Sequence, residues 1–162
     1  MKFTKSILAS AVLLATSSFA IAASDTTEIE INVTKDAYVN LTGSLSGTTA
    51  VSLAEADVNG ATTNLGTLGT EANTTGGCVV TVTSDNDFRL QHNTDAALYL
   101  HGSDNYSVNW AGTTYTSGAT NTATLTTCNN AASAFNMISP AITGVVLAGT
   151  YSDTLTLEVV TQ

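Results

Sequence analysis

The sequence predicts an all-β protein, a sandwich of immunoglobulin-like type, and three observations predict it. Thr makes up roughly a fifth of the chain beyond residue 22, and a β-branched side chain suits a pleated, half-exposed surface. Short segments alternate apolar and polar residues with period two, and no long stretch carries the 3.6-residue period of an amphipathic helix. Clusters of Gly, Asn, Asp and Ser separate those segments at the spacing of strands joined by turns. Intrinsic disorder requires few β-branched residues, the reverse of this composition.

The first 22 residues read as a secretory signal. Lys2 and Lys5 precede an apolar stretch from Ile7 to Phe19, and Ala20-Ile21-Ala22 offers the small-x-small pattern of a cleavage site. Cleavage after Ala22 would leave an exported chain of about 140 residues, one domain by length. No later stretch approaches the ~20 apolar residues of a membrane span, so no membrane insertion is expected. Beyond Ala22 only Lys35 and Arg89 stand against 13 acids, a net charge of about −11 with His neutral. Nucleic acid and anionic lipid head groups are expected to be poor partners, because displacing their counterions needs Lys or Arg. The same charge keeps copies apart, so self-association must rest on apolar or backbone contacts.

Along the chain, Ile29, Ile31 and Val33 alternate with Glu30 and Asn32, and Ala37, Val39 and Leu41 continue on the same parity after Lys35-Asp36. Val51 and Leu53 lead into Ala54 to Val58, which reads as a helical turn, and Asn59-Gly60 marks a tight turn. Ala61 to Gly77 is expected to be a long surface loop around a weak strand, Thr63 to Leu68. Cys78 to Thr83 is a strand, ended by Ser84-Asp85-Asn86-Asp87. Phe88 to His92 and Ala96 to His101 read as a hairpin, as do Tyr106 to Trp110 and Thr113 to Thr116 about Ala111-Gly112. Thr122 to Cys128 and Ala134 to Ile138 follow, with Pro140 at a break or an edge. The chain closes on a turn and a strand in which Leu155, Leu157 and Val159 share one face, with Thr154, Thr156 and Glu158 on the other.

Cys78 and Cys128 are the two cysteines, and in an oxidising compartment one disulfide between them is the natural reading. It would close a loop of about 50 residues and stabilise the fold by roughly 4 kcal/mol on the chain-entropy account. His92 and His101 are expected as solvated loop histidines, with neither metal nor cofactor bound. Trp110, Tyr106 and Tyr115 read as alternating core and edge aromatics, or as a sugar-stacking face on their hairpin. No nucleophile elbow or zinc-protease motif is present, so no enzymatic activity is expected.

The N-terminal strand has two readings. It pairs within its own fold, or it projects, leaving an Ile-Ile-Val ridge for a neighbouring copy to bury by strand addition. Here the sequence resembles a family. The lead-in Thr27-Glu28-Ile29-Glu30-Ile31-Asn32-Val33-Thr34 and the closing Leu147-Ala148-Gly149-Thr150-Tyr151-Ser152-Asp153-Thr154-Leu155-Thr156-Leu157-Glu158-Val159 look like those of chaperone–usher pilin subunits. The closing stretch is also similar to spore-coat-U-type pilins and capsular fibre subunits. The likeness covers both ends well and the middle only in size and strand character. It implies an incomplete sandwich lacking its last strand, filled first by a periplasmic chaperone. At the outer-membrane usher, the N-terminal extension of the next subunit replaces that chaperone.

On that resemblance Ile29, Ile31 and Val33 are the donor side chains. Leu155, Leu157 and Val159 line one edge of an acceptor groove, with Tyr151 at the adjoining turn. The implied organisation is a signal peptide (1–22), a donor extension (23–35) and a pilin sandwich (36–162). The expected function is that of a fimbrial subunit on the cell surface, a homopolymer supporting adhesion to a host or surface receptor, or biofilm. A monomeric carbohydrate- or surface-binding sandwich is the alternative.

Overall fold

Period-two alternation becomes strand wherever the sequence keeps one parity unbroken. The computed structural model describes residues 30–162, so the expected signal peptide and Ile29 lie outside the described residues. Residues 35–162 form one compact unit. Its strands are β1 (Val39–Thr42), β2 (Thr62–Ala72), β3 (Cys78–Ser84), β4 (Gln91–His92), β5 (Ser107–Trp110), β6 (Thr113–Thr116), β7 (Thr122–Leu125), β8 (Asn130–Ile138), β9 (Tyr151–Ser152) and β10 (Leu155–Thr161). All pair antiparallel. They form a five-stranded sheet β1-β2-β8-β5-β6, a three-stranded sheet β10-β3-β7 and the short pair β4-β9. A single 3-10 turn spans Glu55–Asp57, where the sequence predicts a helical turn.

The two larger sheets bury a shared core, so the fold is an all-β sandwich. Leu68, Val108, Trp110, Tyr115, Phe135 and Met137 from the larger sheet meet Val80, Val82 and Ala123 from the smaller one. Trp110, Tyr106 and Tyr115 are all buried, so the aromatic hairpin offers no sugar-stacking face. Trp110 Nε1 donates to the Leu68 carbonyl at 2.8 Å, which satisfies the one polar atom of an otherwise apolar ring. The hairpin turns where the sequence places it, with Ala111 and Gly112 both at positive φ, as a two-residue turn of right-handed twist requires.

Three expectations are corrected. The stretch 61–77 is mostly strand: β2 runs eleven residues and pairs on both edges, with β1 and β8. A register shift between Asn64 and Gly66 moves its inward side chains from odd to even positions, and a second, between Leu68 and Thr70, adds a residue on the β8 side. Period-two reading fails across such bulges. Ala96 to His101 forms turns rather than a strand, held to β4 by a single bridge, Gln91 to Tyr99. The histidines are buried rather than solvated. His101 Nε2 lies 2.7 Å from the Val58 carbonyl, and the His92 ring meets Tyr151 edge-on, 4.9 Å between centroids.

The sandwich has two lateral margins. On the β6/β7 side the sheets are stitched together by Asn121. Its side-chain oxygen accepts from Thr116 N at 2.9 Å, and its carbonyl accepts from Val82 N at 2.9 Å. On the opposite side the outermost strands are β1 in one sheet and β10 in the other, each with one edge unpaired among the described residues.

Candidate functional site: an apolar groove between two strand edges

β10 alternates strictly, with Leu155, Leu157 and Val159 half-buried and Thr156, Glu158 and Val160 exposed. Its inner edge bonds β3 from Leu155↔Ser84 to Thr161↔Cys78, which leaves the outer edge facing β1. Between the two lies a groove of about 1290 Å³, above the roughly 300–1,000 Å³ of a small-molecule pocket. Leu41 and Leu45 line it from the β1 side, Phe135 and Met137 from β8, and Tyr151, Leu155 and Leu157 from the closing strand. Along this margin Leu41 of one sheet and Leu155 and Leu157 of the other are therefore only half-buried, while Phe135 and Met137 stay buried.

The sequence-predicted wall is brought together in part. Tyr151, Leu155 and Leu157 line the groove. Val159 does not: it and Val39 each pack against the cluster of Ala72, Cys78 and Cys128, and their strands β10 and β1 approach one another. Ile31 and Val33 are 82% and 86% exposed, and residues 30–38 carry no strand. The alternation expected from residue 25 to residue 40 is thus a strand only from Val39 onward within the described residues.

The two expected disulfide partners lie side by side. Cys78 and Cys128 are free, buried thiols packed in one small apolar cluster. Packing supplies the juxtaposition; the bond itself requires an oxidant. Burial first, and then the neighbouring Cys128, push the Cys78 thiol up to about 11.

What holds the β10 wall in place is a residue that alternation alone does not single out. Asp153, two positions after Tyr151 and on the same side, accepts from Ser84 Oγ at 2.6 Å, Asn86 N at 3.0 Å and Thr154 N at 2.8 Å. The Tyr106 hydroxyl donates to it as well. Burial first, and then the Asp153 carboxylate, push the Tyr106 phenol well above its ordinary value, so it stays a donor. This carboxylate pins the start of β10 to the end of β3, so the wall is rigid on one side and open on the other. Gly149 has an equally local reason: a Cβ there would run into the His92 ring. The spacing Gly-x-Tyr-x-Asp is therefore three jobs in one turn, namely clearance, a groove side chain and an anchor.

The groove has aliphatic and aromatic walls and backbone edges on two sides, and no group of metal-ligating side chains occurs among the described residues. The chain matches no protein-family model and no curated protein.

Proposed function

We propose that the chain is a structural subunit of a bacterial surface fimbria, exported through the periplasm and polymerised by donor-strand exchange. The single observation that carries this reading is the apolar groove between the unpaired edges of β1 and β10. A strand laid there bonds to a free backbone edge while its alternate side chains fill the groove. The donor is the alternating segment Ile29-Glu30-Ile31-Asn32-Val33 of another copy. The exposure of Ile31 and Val33 supports this, since burying each such side chain is worth ~1.5–3 kcal/mol. A periplasmic chaperone would occupy the same groove before assembly, and an immunoglobulin-like sandwich short of one strand is the fold that both partners complete. The role is mechanical, in attachment or biofilm, without catalysis. The alternative of a sugar-binding monomer loses its most specific support, because the Trp110 hairpin rings lie in the core.

Deleting Ala23 to Lys35 tests the reading. The truncated chain should fail to polymerise yet bind a synthetic peptide of residues 25–36 and melt higher in its presence. A truncated chain that still forms polymers, or that ignores the peptide, contradicts the proposal.

A further inference from the structure

The two ends of the groove differ, a wide one opening between loops and one closed off by packed side chains, and the difference decides how a strand leaves it. At the end away from the loops, Val39 and Val159 each pack against the cluster of Ala72, Cys78 and Cys128 and do not line the groove. Beyond Leu45 and Leu155 the walls are loops, from Gly47 to Val58 on one side and from Val146 to Thr154 on the other. A donor strand has to run on from its C-terminal side into its own folded unit, which begins at Val39. That side therefore leaves through the wide end.

Alternation alone does not fix where the donor stops. Ile29, Ile31, Val33 and Ala37 share one parity, so a slip of two residues keeps every apolar side chain facing the groove. Something outside the apolar row has to set the register. Lys35 sits two residues past Val33, ~7 Å along an extended chain, and it is exposed, its ammonium 5.7 Å from the centroid of the exposed Tyr38 ring. The other cation beyond residue 22, Arg89, is half-buried with its guanidinium 4.0 Å from the Tyr99 ring centroid. At the wide end the groove wall carries one exposed carboxylate, Glu55. Nearby acids are engaged: Asp57 accepts from Ala54 N at 2.9 Å, and Asp153 holds the β10 anchor.

The geometry points to an ion pair between Lys35 of the entering copy and Glu55 of the accepting copy, which locks the donor strand in one register at the groove mouth. This rests on the donor-strand reading above and adds its register key. A two-residue slip moves Lys35 by ~7 Å and breaks the pair, so the charge discriminates where the apolar row cannot.

The test is carbodiimide cross-linking of polymers of the intact chain, followed by peptide mass spectrometry. An intermolecular amide joining Lys35 to Glu55 is expected. Cross-links from Lys35 to other carboxylates, or none, overturn the pairing. Lys35→Glu and Glu55→Lys should each slow assembly about two- to fivefold at low ionic strength, as an exposed pair does. The double swap should restore the rate, and 0.5 M salt should erase the differences. A double variant as slow as the worse single also overturns the pairing. Ile31→Asp separates the two levels: if that variant still polymerises, the donor-strand reading fails with it. If it does not polymerise and no charge coupling is found, only the register key falls.

Discussion

The two margins of the sandwich are built from the same kinds of residue and differ in what covers them. At the β6/β7 margin Trp110, Tyr115 and Ala123 are buried, and Asn121 bonds both sheets at once. At the β1/β10 margin Leu41, Leu155 and Leu157 are only half-buried, and no residue plays the part of Asn121 among those described. One margin is finished by the chain itself. The other leaves apolar side chains half-exposed between two strand edges that are unpaired among the described residues, and that difference is where the functional reading comes from.

Substitutions at the closed margin should therefore cost stability, whereas substitutions at the open one should cost assembly. The largest effect is expected for Trp110→Ala, which removes a buried ring and strands the Leu68 carbonyl. A loss of ~3–5 kcal/mol in chemical denaturation is predicted. Asp153→Ala comes next, at ~2–3 kcal/mol, because the Tyr106 hydroxyl and the Asn86 amide lose their acceptor. It should also loosen β10, seen as faster amide exchange from Leu155 onward.

Alkali separates the margins in another way. The Cys78 thiol is raised to about 11 and burial raises the Tyr115 phenol to about 12. Folding thus favours their neutral forms, so stability is full below pH ~9 and drains away as pH rises through 11 and 12. Melting temperatures in reducing buffer should fall over that range, and Cys78→Ser should delay the fall. The smallest effect on the monomer belongs to Leu157→Ser, a half-buried groove residue: about 1 kcal/mol or less, from the apolar area involved. Its polymerisation, followed by light scattering, should nevertheless be lost.

The sequence shows the closed margin well. β3 and the β5/β6 hairpin keep one parity, and Gly112 marks the hairpin's turn at positive φ, so their alternation reads directly as structure. β2 does not, because the shift between Asn64 and Gly66 breaks its parity, although it lies between two partners. His92 and His101 look like loop residues in sequence, yet Gly149 and the Val58 carbonyl give them buried places that only the tertiary fold creates. Of the open margin, Leu155 and Leu157 are legible from alternation. Val159 is not, because the convergence of β1 and β10 depends on where both sheets end. Asp153 lies inside the closing motif, but its four donors come from three separated segments, which no local pattern reveals.

The central claim is that the open margin is completed by the N-terminal strand of another copy. Amide exchange along β10, measured for a chain starting at Lys35 with and without a peptide of residues 25–36, tests it most directly. The account predicts that outer-edge amides of β10 exchange quickly alone and become protected on adding the peptide, while a peptide carrying Ile31→Asp leaves them unprotected. Protection of those amides before any peptide is added, or no change after it, would contradict the account.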